Sequence, residues 1–506
     1  MQIREHAVAT PDRPAVIIHP AGTVVTFKEM EERANRLAHH FRHAGLVEGD
    51  TVAVLMENNE HLPTAMWAAR RSGLYYTVVS THLTPPEVAY IIDNSGAKAV
   101  IGSRGTRKVC EGLAELDALP ELLMIADDDL DGWQRYPECV AERPATPIDD
   151  EIEGDLLQYS SGTTGRPKGI RRELPHVKPA DAPNLVSALL MAIQMDTGSV
   201  YLSPAPLYHT APCLWTMSAQ AMGVTTVIMS KFDPESALDA IQRYQVTSGQ
   251  FVPAMFVRML KLPQDVRNSY DVSSLKRVVH AAAPCPVDIK KQMIDWWGPV
   301  VDEYYSSSEG AGITFISAEE WLKRPGSVGK PLLGVAHVLD EDGNEQPPGQ
   351  AGQIYFDLGV VRFVYHKDPE KTAESRDKHG WVTVGDVGYL DEEGYMFLTD
   401  RKHHMIISGG VNIYPQEAEN MLITHPKVLD AAVFGIPDDE MGQSVKGVVQ
   451  TVDPADAGEA FGEELLTWLR ERLAHYKCPR SISFEAQLPR TETGKMFKQE
   501  LIKKYS

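Results

Sequence analysis

The sequence predicts an α/β fold: a large N-terminal domain of parallel sheets sandwiched by helices, a small antiparallel β region within it, and a smaller α+β C-terminal domain. Three observations predict it. Short β-branched runs alternate with longer runs of helical spacing through most of the chain. Near Leu332 the texture changes to short strands split by Asp/Gly turns. After the charged run Asp400-Arg401-Lys402-His403-His404 a fresh strand–loop–helix pattern begins.

In chain order, Thr51–Met56, Ala99–Gly102, Thr225–Met229, Arg277–His280 and Ala431–Phe434 read as strands, and Thr26–Phe41, Pro86–Asn94, Pro234–Tyr244 and Pro286–Trp297 as helices. Strands alternating with helices make βαβ units, whose sheets are parallel and covered on both faces. The β-rich stretch runs over about residues 332–399, with Val335–Leu339, Gly352–Leu358, Tyr389–Leu390 and Tyr395–Leu398 separated by EDGN and DEEG turns. Leu185–Ile193 is the longest apolar run and reads as a buried helix. These patterns divide the chain into domains at 1–401 and 402–506.

Composition narrows the function. Of 506 residues, 43% are apolar and 24% charged, the balance of a globular chain. Lys and Arg number 49 against 70 Asp and Glu, a net charge of −21. Such a charge opposes non-specific nucleic-acid binding and docking on anionic membranes. The five cysteines show no CxxC spacing, so they read as free thiols in a reducing compartment rather than a zinc site or disulfide frame. The first twenty residues carry no apolar core of a secretory signal, and no run approaches the ~18 apolar residues of a membrane span. The expected location is cytoplasmic.

The sharpest motif is Tyr159-Ser160-Ser161-Gly162-Thr163-Thr164-Gly165-Arg166-Pro167-Lys168-Gly169. It follows an apolar run that reads as a strand. Its glycines let backbone N–H groups approach an anion, its hydroxyls donate to phosphate oxygens, and Lys168 and Arg166 add positive charge. It is not a Walker A loop, because Gly169 stands where that motif needs Ser or Thr after the lysine.

This loop resembles the signature of the adenylate-forming superfamily, which includes acyl- and aryl-CoA synthetases, luciferase-like enzymes and the adenylation domains of peptide synthetases. Further family-like segments follow in order: Pro206–Pro212 (PLYHTAP), Ala281–Pro284, Tyr305–Gly310 (YSSSEG), Trp381–Asp386, Asp400-Arg401 leading into Ser408–Pro415 (SGGVNIYP), and Pro489–Lys495 (PRTETGK). The resemblance therefore covers nearly the whole chain. It implies an ATP-dependent acyl-CoA synthetase that uses ATP, Mg²⁺ and coenzyme A, with a mobile C-terminal lid.

Residue by residue, the resemblance implies that Ser160, Ser161, Gly162, Thr163, Thr164, Gly165 and Lys168 cradle the ATP phosphates. Tyr305 stacks on adenine, with Ala282, Glu303 and Tyr304 lining the base and Ser308 beside it. Asp386 and Arg401 hold the ribose. Glu309, with Thr163, holds Mg²⁺, an ion that favours one or two carboxylates plus phosphate oxygens. Lys495 contacts the substrate carboxylate and the α-phosphate. His209 is a gate and wall of the acyl pocket, together with Cys213, Leu214, Trp215 and Ser306. Ser408, Gly409 and Gly410 make a narrow path for pantetheine, and Lys231 matches a position that contacts CoA phosphate in some plant-type ligases.

Two positions depart from the family pattern. Ser306 and Ser308 stand where Gly and Thr are usual, so Ser306 adds a side chain beside the substrate pocket. His403 stands at the hinge, where relatives carry Asp or Lys. Phe232-Asp233-Pro234-Glu235 is not the amine anchor of peptide synthetases; it follows a strand, and Asp233 is placed to cap a helix.

The expected substrate is a hydrophobic acid: fatty, steroid or bile-acid-like, or aryl. Two alternatives stay open, a stand-alone adenylating enzyme that loads a carrier protein and an inactive nucleotide-binding regulator. The sequence also leaves a homodimer open. The net charge hides an asymmetry: residues 467–506 hold nine Lys/Arg against four Asp/Glu, a basic tail on an acidic body.

Overall fold

The computed structural model describes residues 2–116, 119–160, 167–182, 186–359, 363–401, 405–408, 411–438, 441–490 and 496–506, with Ser160, Asp400, Arg401 and Asn412 described by backbone alone. Two compact units divide the chain: Met1–Gln250 with Tyr270–Arg277 and Arg362–Ala373, and Phe251–Ser269 with Val278–Val361 and Glu374–Ser506.

The first unit contains a six-stranded, all-parallel sheet in the order Gln134–Tyr136, Leu122–Ala126, Ala97–Ser103, Thr51–Leu55, Tyr75–Val78, Asp155–Leu156. Thr51–Leu55 at its centre is buried on both faces, as a parallel strand between helices must be. A second set runs Ser248–Phe251, Val200–Ser203, Thr225–Met229 and Pro14–His19 in parallel, and Thr23–Thr26 closes it as an antiparallel hairpin partner. Local chemistry fixes the helix starts. Thr26 and Glu29 form a capping box on Phe27–His43. Thr84 and Glu87 do the same for Pro85–Ser95, which ends on Gly96 at φ +65°. Asp233 caps Pro234–Tyr244 by accepting from the N–H groups of Glu235 and Ser236. The apolar run near residue 190 is a shorter helix than its sequence suggests, Ser187–Ala192, with Leu189 and Leu190 buried and Met191 exposed.

In the second unit the strands run Val335–Leu339, Gly352–Asp357, Asp386–Leu390, Met396–Arg401, Ser327–Leu333, Ile313–Ile316, Val301–Tyr305, Arg277–His280. Every pairing is antiparallel except the last, where the helix Val287–Trp297 makes the parallel crossover. The four strands expected between 332 and 399 are all present.

The C-terminal part pairs Val428–Asp438 with Gly442–Thr451 antiparallel, and the latter with Ser481–Phe484 in parallel. Alternation along the strand sends Ala431 and Val433 into a core with Leu422, Leu465 and Leu469, and Ala432 and Phe434 into another with Leu488 and Leu501. Helices Gln416–Ile423 and Glu459–Arg470 cover the first face and Lys498–Tyr505 the second. Among the described residues, no helix is long and apolar enough to cross a membrane.

Candidate active site

In the second unit, Arg277–His280 ends at Ala281–Pro284, and Val301–Tyr305 returns beside it with His280 opposite Glu303. Ligands of open α/β sheets sit outside the carboxyl ends of strands, where these segments lie. Ala282 has φ +74°, a left-handed conformation that costs a residue with a Cβ on the order of 1 kcal/mol. Strain of this kind concentrates at ligand clamps.

Tyr305 ends its strand. Its phenol O–H donates to Asp386 Oδ2 at 2.6 Å, and its ring lies against Phe356 with centroids 6.3 Å apart. Asp386 is 7% exposed, and Arg401 is its cross-strand partner. The residues read for base and ribose therefore come together, although their strands are not neighbours. Beyond Tyr305 the chain folds back on itself. Ser306 Oγ donates to the Gly312 carbonyl at 2.9 Å, and the Gly310 N–H donates to Ser307 O at 3.0 Å. This loop carries Ser308 and Glu309, both partly buried. Gly312 has no room for a Cβ, which would collide with the Phe356 ring.

Glu303 is 6% exposed. Lys290 Nζ lies 2.8 Å from its Oε2, and His280 Nε2 lies 3.3 Å from the same oxygen. Burial alone would raise the carboxyl, but the Lys290 ammonium and His280 hold it down at about 2. Tyr304, the next residue, is buried.

In the first unit, Gln158–Ser160 pairs antiparallel with Lys168–Arg171, with Ser160 opposite Lys168. The described ends of the signature segment are thus adjacent. Ser161, Gly162, Thr163, Thr164 and Gly165 lie outside the described residues, as do His403, Gly409, Gly410 and Lys495. Lys168 Nζ stands 3.9 Å from Asp368 Oδ2. Gln158 Nε2 donates to the Tyr208 carbonyl at 3.1 Å and so ties the strand before the signature to PLYHTAP. His209 is the N-cap residue of Thr210–Ala221, its ring 4.5 Å from that of Tyr208.

On that helix Cys213 is fully buried, its thiol 3.5 Å from Met66 Sδ and pushed up by burial to about 12. Trp215 is also buried, stacked on Tyr201 at 6.2 Å, whereas Leu214 is half-buried. Lys231 is exposed just after Thr225–Met229. Ser408 is buried on the hairpin Ile406–Ser408/Val411–Ile413, opposite Val411.

The flanks of residues 491–495 are firmly held. Arg490 makes a two-pronged contact with Asp430, Nε–Oδ2 2.5 Å and Nη2–Oδ1 2.8 Å, and bridges to Met496. Lys498 Nζ lies 2.8 Å from Glu419 Oε1, with both side chains buried. Sequence reasoning missed Lys290, Glu419 and Asp430, which act through long-range contacts that no local pattern marks. Glu60, His61 and Asp127 form a further group with metal-ligand side chains. His61 Nε2 meets Asp127 Oδ2 at 3.0 Å, and its Nδ1 is buried with no hydrogen-bond partner. His61 and Asp127 thus form a His–Asp pair.

A parallel-sheet unit with a hydroxyl- and glycine-rich hairpin segment, a Tyr–Asp pair at a strand end and a small α+β C-terminal fold together define an adenylate-forming enzyme. Residues 3–359 match the profile of the AMP-binding enzyme family and residues 417–495 that of the AMP-binding enzyme C-terminal domain. The chain belongs to this family. It is an AMP-forming acid–thiol ligase of the class that works with ATP, Mg²⁺ and coenzyme A.

A feruloyl-CoA synthase of Amycolatopsis sp is 34% identical over 498 residues, 97% of this chain and 96% of that protein. The long-chain-fatty-acid–CoA ligase FadD13 of Mycobacterium tuberculosis is 30% identical over 510 residues, 100% of this chain and 98% of that protein. ATP-bound MatB from Rhodopseudomonas palustris superposes with a TM-score of 0.82 at 28% identity, covering 100% of this chain and 99% of that one.

Proposed function

We propose that this protein activates a hydrophobic carboxylic acid with ATP and passes the acyl group to coenzyme A. The acid attacks the α-phosphate, pyrophosphate leaves, and the CoA thiol then attacks the acyl-adenylate and releases AMP. The observation that carries the nucleotide assignment is the Tyr305–Asp386 hydrogen bond at 2.6 Å, which joins the base shelf to a carboxylate able to accept from two ribose hydroxyls. Tyr305, Ala282 and Tyr304 border the base, and Asp386 and Arg401 take the ribose. Ser160 to Gly165 and Lys168 receive the phosphates. Lys495 sets its ammonium against the charge that grows on the α-phosphate. Glu309 and Thr163 would hold Mg²⁺, which offsets phosphate charge when bound.

His209 and the half-buried Leu214 are assigned to the acid, with Cys213 and Trp215 buried on the same helix, and Ser306 is a further residue assigned to the acid. Ser408 with Gly409 and Gly410 passes the pantetheine, and Lys231 meets a CoA phosphate. His403 is the hinge between an N-terminal domain 1–401 and a lid 402–506. The relatives act on feruloyl and long-chain acyl groups, which supports aryl and fatty acids as the first substrates to try. The cysteines are all free, which fits a reducing, cytoplasmic setting.

The test measures acid-dependent exchange of labelled pyrophosphate into ATP, together with loss of free CoA thiol, over aryl, fatty and polycyclic acids. Both signals are expected with at least one hydrophobic acid, and Lys495→Ala is expected to lower exchange by about a hundredfold or more. Exchange without thiol loss would overturn CoA as acceptor. Absence of both across the panel would overturn the activity.

A further inference from the structure

A lysine with no exposed surface sits directly behind the proposed base shelf. Lys290 is 0% exposed, on the helix Val287–Trp297 that carries the chain from Arg277–His280 to Val301–Tyr305. A fully buried ammonium persists only when paired. Two partners meet it: Glu303 Oε2 at 2.8 Å, and the face of the buried Trp321 with its centroid at 4.6 Å. Glu303 in turn sits beside His280, its parallel cross-strand neighbour, at 3.3 Å. His280 is fully buried, packs edge-on against Phe256 at 5.5 Å, and has no hydrogen-bond partner of good geometry at either ring nitrogen.

These groups lie next to the segments that the nucleotide reading uses. His280 immediately precedes Ala281 and the left-handed Ala282. Glu303 lies two residues before Tyr305 and so on the same strand face. A buried ion pair adds little net stability over apolar side chains of the same volume, because desolvation offsets the attraction. What it does supply is direction: an ammonium and a carboxylate 2.8 Å apart fix the helix against one strand position, which interchangeable apolar contacts do not. A strained Ala282 persists only where its surroundings over-determine it.

We propose that Lys290 is a positioning residue for nucleotide binding, acting through Glu303 and His280 to hold the strand ends that carry Ala282 and Tyr305. The inference rests on the nucleotide reading of that shelf. Lys290 touches no substrate; it sets where the shelf stands. Removing its charge leaves the Glu303 carboxyl unpaired in the interior, where it takes up a proton or draws the strand end toward water, and in either case the strand loses the partner that fixed it.

The experiment uses the full chain. AMP binding is measured by titration calorimetry, KM separately for ATP, the acid and CoA, and melting by differential scanning fluorimetry. Lys290→Met is expected to weaken AMP binding and raise the ATP KM by about tenfold, with the other two KM values within about twofold of wild type. Lys290→Met with Glu303→Gln is expected to regain most of that loss, because no unpaired charge then remains inside. Glu303→Gln alone, which keeps a hydrogen-bond acceptor for Lys290, is the second variant should Lys290→Met not fold, with an expected loss of about threefold.

A folded Lys290→Met protein with unchanged AMP affinity would overturn the proposal. So would three KM values rising together, a double variant no better than the single one, or Glu303→Gln binding AMP as wild type does. Wild type failing to bind AMP would overturn the nucleotide shelf itself, an outcome read before any variant is made.

Discussion

Ser306 departs from the glycine that the family resemblance implies, and its hydroxyl has a definite task. It donates to the Gly312 carbonyl at 2.9 Å and closes the loop that bears Ser308 and Glu309. Within the same loop the Gly310 N–H bonds Ser307 O at 3.0 Å, and the Ala311 N–H reaches Ser307 Oγ at 3.5 Å. A side-chain to backbone bond of this kind nets about 0.5–1.5 kcal/mol. Ser306→Ala removes that bond alone. Ser306→Gly removes it and adds about 0.5–1 kcal/mol of backbone freedom, for roughly 1–2.5 kcal/mol in all. Spent entirely on placing Glu309, these energies correspond to rate losses of about 2–12-fold for alanine and about 5–70-fold for glycine. The assay is pyrophosphate–ATP exchange titrated with Mg²⁺. The expected order is wild type, alanine, glycine, with the half-saturating Mg²⁺ concentration rising in step. Thioester formation from a pre-made acyl-adenylate should hold near the wild-type rate. A glycine variant as fast as wild type would refute the reasoning and leave Ser306 as a steric element of the acyl pocket.

Glu419→Ala strands the buried Lys498 ammonium, 2.8 Å away, and the Val433 N–H that bonds Glu419 Oε1 at 2.7 Å. A loss of about 3–5 kcal/mol is expected in hydrogen exchange along Val428–Asp438, and a loss under about 1 kcal/mol would refute it. Acid should weaken the second unit in a defined window. Glu303 is held at about 2 against an ordinary 4.5, so its contribution is present above 4.5 and lost as pH falls toward 2. Burial lowers His280 below its ordinary 6.5, so the unfolded chain takes up a proton there before the folded one does, and stability begins to fall from about that pH downward. Denaturant midpoints followed against pH should therefore decline below about 6.5, and Glu303→Gln should flatten the lower part of the curve; a variant curve parallel to wild type between 4.5 and 2 would contradict this.

What the sequence shows well is local. Asp233, read as a helix cap, does cap Pro234–Tyr244, and β-branched runs such as Thr225–Met229 become buried parallel strands. The family was legible because hydroxyls, glycines and a lysine stand in a fixed order in the signature segment. What the sequence hides is which of several equivalent side chains turns inward. Lys290 and Lys291 are adjacent and identical on paper, but the helix phase buries the first entirely and exposes the second. The Ser306–Gly312 bond spans six residues of irregular loop, a distance that no helical or strand period encodes. The Tyr305–Asp386 bond joins strands that are not even neighbours.

The basic tail shows how such hidden pairing changes a functional reading. Nine cations against four anions in residues 467–506 suggest a positive surface ready for phosphate. Among the described residues the fold gives six of those cations carboxylate partners: Arg472 to Glu471 at 2.9 Å, Lys477 to Glu417 at 2.6 Å, Arg480 to Asp438 at 3.7 Å, Arg490 to Asp430 at 2.5 Å, Lys498 to Glu419 at 2.8 Å and Lys504 to Glu485 at 2.5 Å. Four of the six carboxylates come from upstream of the tail, so a charge count over the tail alone overstates its field. A cation already held by a carboxylate gains less from a phosphate, because binding the second anion means leaving or sharing the first. Arg490 and Lys498, the two held cations nearest Lys495 in sequence, are therefore structural in character, and the proposed contact with the α-phosphate rests on Lys495 rather than on the tail as a whole.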